Sequence, residues 1–138
     1  MILCDTGVLF CLVDQSQPQH QAYIDLVGQL EKPLITTWIC IAEAMYLDQN
    51  RGGWPMQKQL AKFLLTNLLA IYEIQSEDYP RLFQLMEKYQ DRPMDLADAT
   101  LVLTAEKIEE NQILTLDSDF LFYRIKDKNS FHIIQHED

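Results

Sequence analysis

The sequence predicts an α/β fold, a central and mostly parallel sheet of four or five strands covered by helices on both faces. Three observations lead there. Short runs of apolar residues, too short for helices, recur between longer segments of helical periodicity. The runs lack the polar alternation of a half-solvated sheet, as expected of strands buried on both faces. Strands and helices also alternate along the chain, as in parallel sheets built from crossover connections.

The first run is residues 1–4, ending at Asp5. Thr6-Gly-Val-Leu-Phe-Cys-Leu-Val13 then predicts a helix with Asp5 or Thr6 as its cap. Residues 19–31 place Tyr23, Leu26, Val27 and Leu30 on one helical face, and Pro33 stops that segment. Leu34-Ile35-Thr36 reads as a second strand. Residues 38–49 read as a helix apolar round most of its circumference, hence largely buried. Asn50-Arg51-Gly52-Gly53-Trp54-Pro55 carries the strongest loop composition in the chain.

Residues 56–69 space Met56, Leu60, Phe63, Leu64 and Leu68 helically, and Ala70-Ile71-Tyr72 reads as a third strand. Residues 77–90 repeat the amphipathic pattern through Leu82, Phe83, Leu85, Met86 and Tyr89. After Pro93 comes a helix over roughly 96–110. Residues 112–116 read as a strand ending at Asp117, and Phe131–Ile134 as the last strand. Without repeats or a low-complexity linker, residues 1–138 are expected to form a single domain.

Composition narrows the chemistry. The net charge is −10, with 21 acidic against 11 basic side chains. A broad basic nucleic-acid surface is therefore excluded, and any such substrate must meet bound cations and a local basic rim. Arg51, Arg92, Arg124, Lys126 and Lys128 lie in or near expected loops and are candidates for that rim, or are ordinary surface charge. Cys4, Cys11 and Cys40 fit no zinc spacing and sit among apolar neighbours, as buried reduced thiols would. No 18-residue apolar run is present and the N-terminus lacks the pattern of a secretory signal, so a cytoplasmic protein is expected. His20, His132 and His136 show no ligand spacing. Trp54 is a residue that could stack on a base or pack against the fold.

The acids carry the functional signal. Asp5 and Asp117 each follow a strand, the position where ligands bind in open α/β sheets. Each also suits a simple capping role. Glu43 lies in the apolar helix with no Lys or Arg within four residues. A buried carboxylate needs a partner, either a cation or a distant arginine, unless Glu43 sits at a half-exposed edge. Asp95 and Asp98 stand three apart at a helix start, where Asp95 would suit the N-cap. Asp98 also lies in an apolar helix. Asp119 follows Asp117 by two, and Thr6, Thr115 and Ser118 flank these acids as candidates to orient carboxylates.

Taken together these pieces resemble the PIN domain, the fold of many small prokaryotic nucleases, including the VapC-like toxins of toxin–antitoxin pairs. Asp5-Thr6 after the opening strand, Glu43 some 40 residues on, Asp98-Ala99 within Met94–Ala99, and Asp117 within Ile113–Phe120 match in order and spacing. The resemblance implies a three-layer α/β/α sandwich and a catalytic set of Asp5, Glu43, Asp98 and Asp117. Metal would be held by Asp5, Asp98 and Asp117, with Asp95 and Asp119 supplementary. It also implies an Mg²⁺- or Mn²⁺-dependent endoribonuclease leaving 5′-phosphate and 3′-hydroxyl ends. Its partners would be an RNA substrate, a small antitoxin and a second copy of the chain. Oxygen donors without a His or Cys cluster suit these hard ions.

Two other roles on the same fold remain open at this point, a housekeeping RNA-processing nuclease and a non-catalytic protein-binding scaffold. A haloacid-dehalogenase-type enzyme wants an Asp two residues after the first, where Gly7 stands. No Gly-rich phosphate loop followed by Lys is present, which argues against a nucleotide triphosphatase.

Overall fold

A computed structural model describes residues 1–135. The expected 1–138 boundary and His136 extend outside the described residues. Five strands form one parallel sheet in the order β3-β2-β1-β4-β7. They are β1 (Ile2–Cys4), β2 (Leu34–Thr36), β3 (Leu69–Ile71), β4 (Gln112–Leu114) and β7 (His132–Ile133). A short antiparallel hairpin, β5 (Arg124–Ile125) with β6 (Asn129–Ser130), lies beside it and was not foreseen. Each of these two strands is only two residues long, too short to leave an apolar run.

The helices are α1 (Thr6–Val13), α2 (His20–Gln29), α3 (Trp38–Gly52), α4 (Trp54–Leu65), α5 (Tyr79–Lys88) and α6 (Leu96–Ile108). Helices α1 to α4 pack on one another, and α5 packs on α6. This is the expected three-layer α/β/α sandwich. Its core runs from Leu3 and Cys4 of β1 through Val8 and Leu9 of α1 to Leu101, Val102 and Leu103 of α6, all fully buried. The three cysteines are buried free thiols, as their surroundings imply.

Four expectations need correction. The Asn50–Pro55 loop does not form, because α3 runs to Gly52 and α4 starts at Trp54. Gly53 alone makes the break, at φ +68° and ψ −155°, a conformation that glycine adopts without steric cost. Pro55 sits in the first turn of α4, where its missing N–H costs nothing. A Gly-Gly-Trp-Pro sequence thus serves a single-residue junction.

Helix α3 is not largely buried. Ile41, Ala44 and Asp48 face inward, while Tyr46 is 64% exposed and Glu43 is also exposed. Strand β3 starts and ends one residue earlier than expected. Strand β4 ends at Leu114, so Thr115 and Leu116 separate it from Asp117. Asp117 therefore caps the following 3-10 turn, 118–121, instead of directly ending the strand.

Candidate metal centre

Going along the chain, strand order runs outward from β1 through β2 to β3, then returns to β1's other side with β4. The reversal leaves a crevice at the carboxyl ends of β1 and β4. Asp5 and Asp117 arrive there from those two strands, and Asp98 from the first turn of α6. One carboxylate oxygen of each lies within 4.8 Å of the others. Glu43, Asp95, Thr6, Gly7 and Leu116 complete the lining of this open cleft.

Local capping chemistry aims each acid. Asp5 caps α1, its Oδ1 accepting from Thr6 N at 2.7 Å. Its Oδ2 accepts from Thr115 Oγ1 at 2.8 Å, and Thr115 Oγ1 in turn accepts from Asp117 N at 3.0 Å. Thr115 thus ties two of the three acids together. Asp117 caps the turn by accepting from Asp119 N at 2.9 Å. Asp95 is the N-cap of α6 and accepts from Asp98 N at 2.8 Å, which positions Asp98 one turn in. Asp98 Oδ2 accepts from the Tyr123 hydroxyl at 2.9 Å. The sequence left capping and clustering as alternatives for Asp5 and Asp117, and in the fold both hold at once. A cap takes one acceptor position of a carboxylate, and the two oxygens together keep further lone pairs for the cleft.

Glu43 reaches the site for a reason other than the expected one. It needs no rescue from burial, because it stands exposed at the cleft mouth. Its Oε1 accepts from Thr6 Oγ1 at 3.0 Å. Asp119 lies apart from the trio, with Oδ1 3.6 Å from Arg92 Nη1. Ser118 is exposed and makes no hydrogen bond to the cluster among the described residues. Of the proposed basic rim, only Arg92 pairs with a residue of the site segment. Arg51 pairs with Asp14 at 3.1 Å and Lys126 with Glu109 at 3.7 Å. Arg124 donates to the carbonyls of Leu121 and Tyr123, and Lys128 is exposed in the hairpin. Trp54 is 62% exposed and does not line the cleft.

Two residues of consequence had no signal in the sequence. Tyr123, fully buried against Tyr89 and Phe120, supplies the hydrogen bond to Asp98. Asp48 of α3 is fully buried, and neither of its carboxylate oxygens has a hydrogen-bond partner.

The cluster is electrostatically loaded. Burial pushes the Asp98 carboxyl up to about 8, with Asp5 and Asp95 adding repulsion and Tyr123 partly opposing it. Burial likewise raises Asp5 to about 6, against the hydrogen bonds from Thr115 and Thr6. Tyr123 is pushed well above the usual phenol range by burial and by Asp98. An all-oxygen set of three converging carboxylates fits a hard divalent cation, whose charge would offset this repulsion. Nothing in the cluster offers the nitrogen or sulfur that zinc or copper prefers.

Sheet order, crevice and acid trio define a parallel α/β protein with an oxygen-donor site at its topological switch. The model of the PIN domain matches residues 2–128. The chain belongs to the PIN-domain family. Over 116 residues it is 25% identical to ribonuclease VapC26 of Mycobacterium tuberculosis, spanning 84% of this chain and 86% of that protein. Among solved structures it resembles VapC20 of Mycobacterium tuberculosis, described as a toxin that cleaves the sarcin–ricin loop. The TM-score is 0.79 at 17% identity, over 86% of this chain and 92% of that one. It also resembles a chain of a toxin–antitoxin complex from Klebsiella pneumoniae. There the TM-score is 0.65 at 20% identity, over 87% of this chain and 90% of that one. These two likenesses speak for the fold.

Proposed function

We propose that this protein is a metal-dependent endoribonuclease, the toxin of a toxin–antitoxin pair, forming one domain over 1–138. The observation that carries the reading is the convergence of Asp5, Asp98 and Asp117 within 4.8 Å at the switch point of a PIN-family sheet. The ribonuclease name of the curated relative and the toxin–antitoxin description of a structural neighbour support it.

Asp5, Asp98 and Asp117 would hold Mg²⁺ or Mn²⁺. Such an ion polarises a phosphate and lowers the pKa of an attacking water. The protein's own groups do the rest. Thr115 holds the Asp5 and Asp117 segments in register through its single hydroxyl. Tyr123 fixes the rotation of Asp98 through Oδ2 and makes no demand on Oδ1. Thr6 holds Glu43 by Oε1, so Oε2 is the atom that takes a proton from water. Asp95 acts through Asp98 by fixing the start of α6. Asp119 and Ser118 shape the turn that carries Asp117. No helix among the described residues is long and apolar enough to cross a membrane. The reading places the protein in the cytoplasm with RNA and an antitoxin as partners. It also includes a homodimer, with the apolar groove around Trp38, Tyr79 and Phe83 as the face for a second copy.

The test is cleavage of RNA by the purified chain with Mg²⁺ or Mn²⁺. Activity should vanish in EDTA and in Asp5→Asn and Asp98→Asn, with circular dichroism unchanged. Metal-independent cleavage, or full activity in both variants, would sink the proposal. Light scattering reads the dimer, which Phe83→Glu should dissociate.

A further inference from the structure

An acidic nuclease must hold a polyanion, and the structure limits which cation can help. Of the eleven Lys and Arg side chains, six form ion pairs with acids that do not line the cleft. Arg124 is held by carbonyls. Lys58 and Lys62 lie on α4 and Lys128 in the β5–β6 hairpin, away from the cleft lining. Arg92 remains. Its pairing acid is Asp119, whose N–H donates to Asp117 Oδ1, so one residue links the guanidinium to the acid trio.

Arg92 is also braced. Its guanidinium carbon lies 3.5 Å from the centroid of the Phe122 ring, a face-to-cation stack. Both side chains remain accessible, with Arg92 at 36% and Phe122 at 49%. Leu121, adjacent to Phe122 in the chain, is 59% exposed, and Leu116 in the cleft lining is 49% exposed. An exposed planar cation on an exposed ring, beside apolar surface, has the composition of a single-strand binding platform.

We propose that the Arg92–Phe122 stack is the docking element for the RNA strand. Arg92 binds a backbone phosphate next to the one at the acid trio, exchanging Asp119 for it, and a neighbouring base lies against Phe122. The inference rests on the nuclease reading for the position of the scissile phosphate. Asp119 is then a competitor that occupies Arg92 while RNA is absent. That assignment separates binding from bracing: if Arg92 only holds the turn, losing either partner has the same effect.

The experiment measures fluorescence anisotropy of a short, labelled single-stranded RNA of mixed sequence. The protein is the full chain with Asp98→Asn to block cleavage, titrated over a range of KCl. Adding Arg92→Gln should weaken binding about fivefold or more and lower the slope of log K against log salt by about 0.7. Arg92→Lys, which keeps the charge without the planar stack, should fall between. Phe122→Leu should weaken binding with the salt slope retained. Asp119→Asn should tighten binding, because it releases Arg92. Unchanged affinity and slope in Arg92→Gln overturn the inference, as does weakening in Asp119→Asn. If otherwise unmodified protein cleaves RNA with Mn²⁺ while Arg92→Gln binds normally, this inference alone fails. Should the RNA bind through Arg92 but never be cleaved, the nuclease reading fails and the docking element stands. Absence of any RNA binding overturns both.

Discussion

Asp48 should cost this protein stability at neutral pH, and Asp48→Asn should recover it. Ile41, Ala44 and Asp48 form the inward stripe of α3, which packs on α1 and α4. Asp48 is fully buried with both oxygens unpartnered. Burial, with repulsion from Asp14, raises its carboxyl from 3.8 to about 6. The arginine three residues on along α3 offers no relief. Arg51 is committed to Asp14 Oδ2 and Ser16 Oγ. A raised carboxyl means the folded state binds the proton more tightly than the unfolded chain does. Stability from this group is therefore full below about 3.8 and is lost as pH rises to about 6. The free-energy equivalent of that shift is about 3 kcal/mol at pH 7 and about half of that at pH 5. Urea denaturation of the two proteins at both pH values reads the effect. The Asn variant should be the more stable at pH 7, with a smaller advantage at pH 5. Taking the difference between the two pH values cancels the cost of a buried amide, which is the same at both. Equal pH dependence in the two proteins would refute the reasoning, and so would a variant whose advantage grows as pH falls.

Three further outcomes follow from the site and the fold. Millimolar Mn²⁺ should stabilise the folded state by about 2.7 kcal/mol at a hundredfold excess over Kd, and so raise the melting temperature. Asp98→Asn should abolish that gain without lowering metal-free stability, since its carboxyl is raised to about 8 in the fold; calorimetric melts check both. Tyr123→Phe removes the hydroxyl that fixes Asp98 and should weaken metal binding about tenfold, measured by titration calorimetry, with RNA affinity in EDTA unchanged. Gly53→Ala should destabilise by about 1 kcal/mol or more, because a Cβ is strained at φ +68°; a urea midpoint shift reads it.

Much of the architecture was legible because its causes are local. The runs 1–4, 34–36 and 112–116 contain β1, β2 and β4, the last ending two residues sooner than its apolar run suggests. Helix periodicity located α2, α5 and α6 closely, and the capping preference of Asp predicted the starts of α1 and α6. The order and spacing of Asp5, Glu43, Asp98 and Asp117 carried the family resemblance. Local composition misled where one residue did the work of a loop, at Gly53. It also misled where apolar side chains stayed exposed, as Tyr46 and Leu47 do on α3.

What tertiary structure alone decided are the contacts made across long separations. Thr115 meets Asp5 across 110 positions, Tyr123 meets Asp98 across 25, and Thr6 meets Glu43 across 37. No periodicity or propensity reports such pairs, because they depend on how β4 docks on β1 and how α3 and α6 turn their faces. The same holds for Asp48, whose burial comes from the packing of α1 and α4 over one stripe of α3. Sequence therefore determined which carboxylates were available and which elements would carry them. Packing determined which oxygens converge, which are held by hydroxyls, and that Glu43 stands in solvent at the mouth of the cleft.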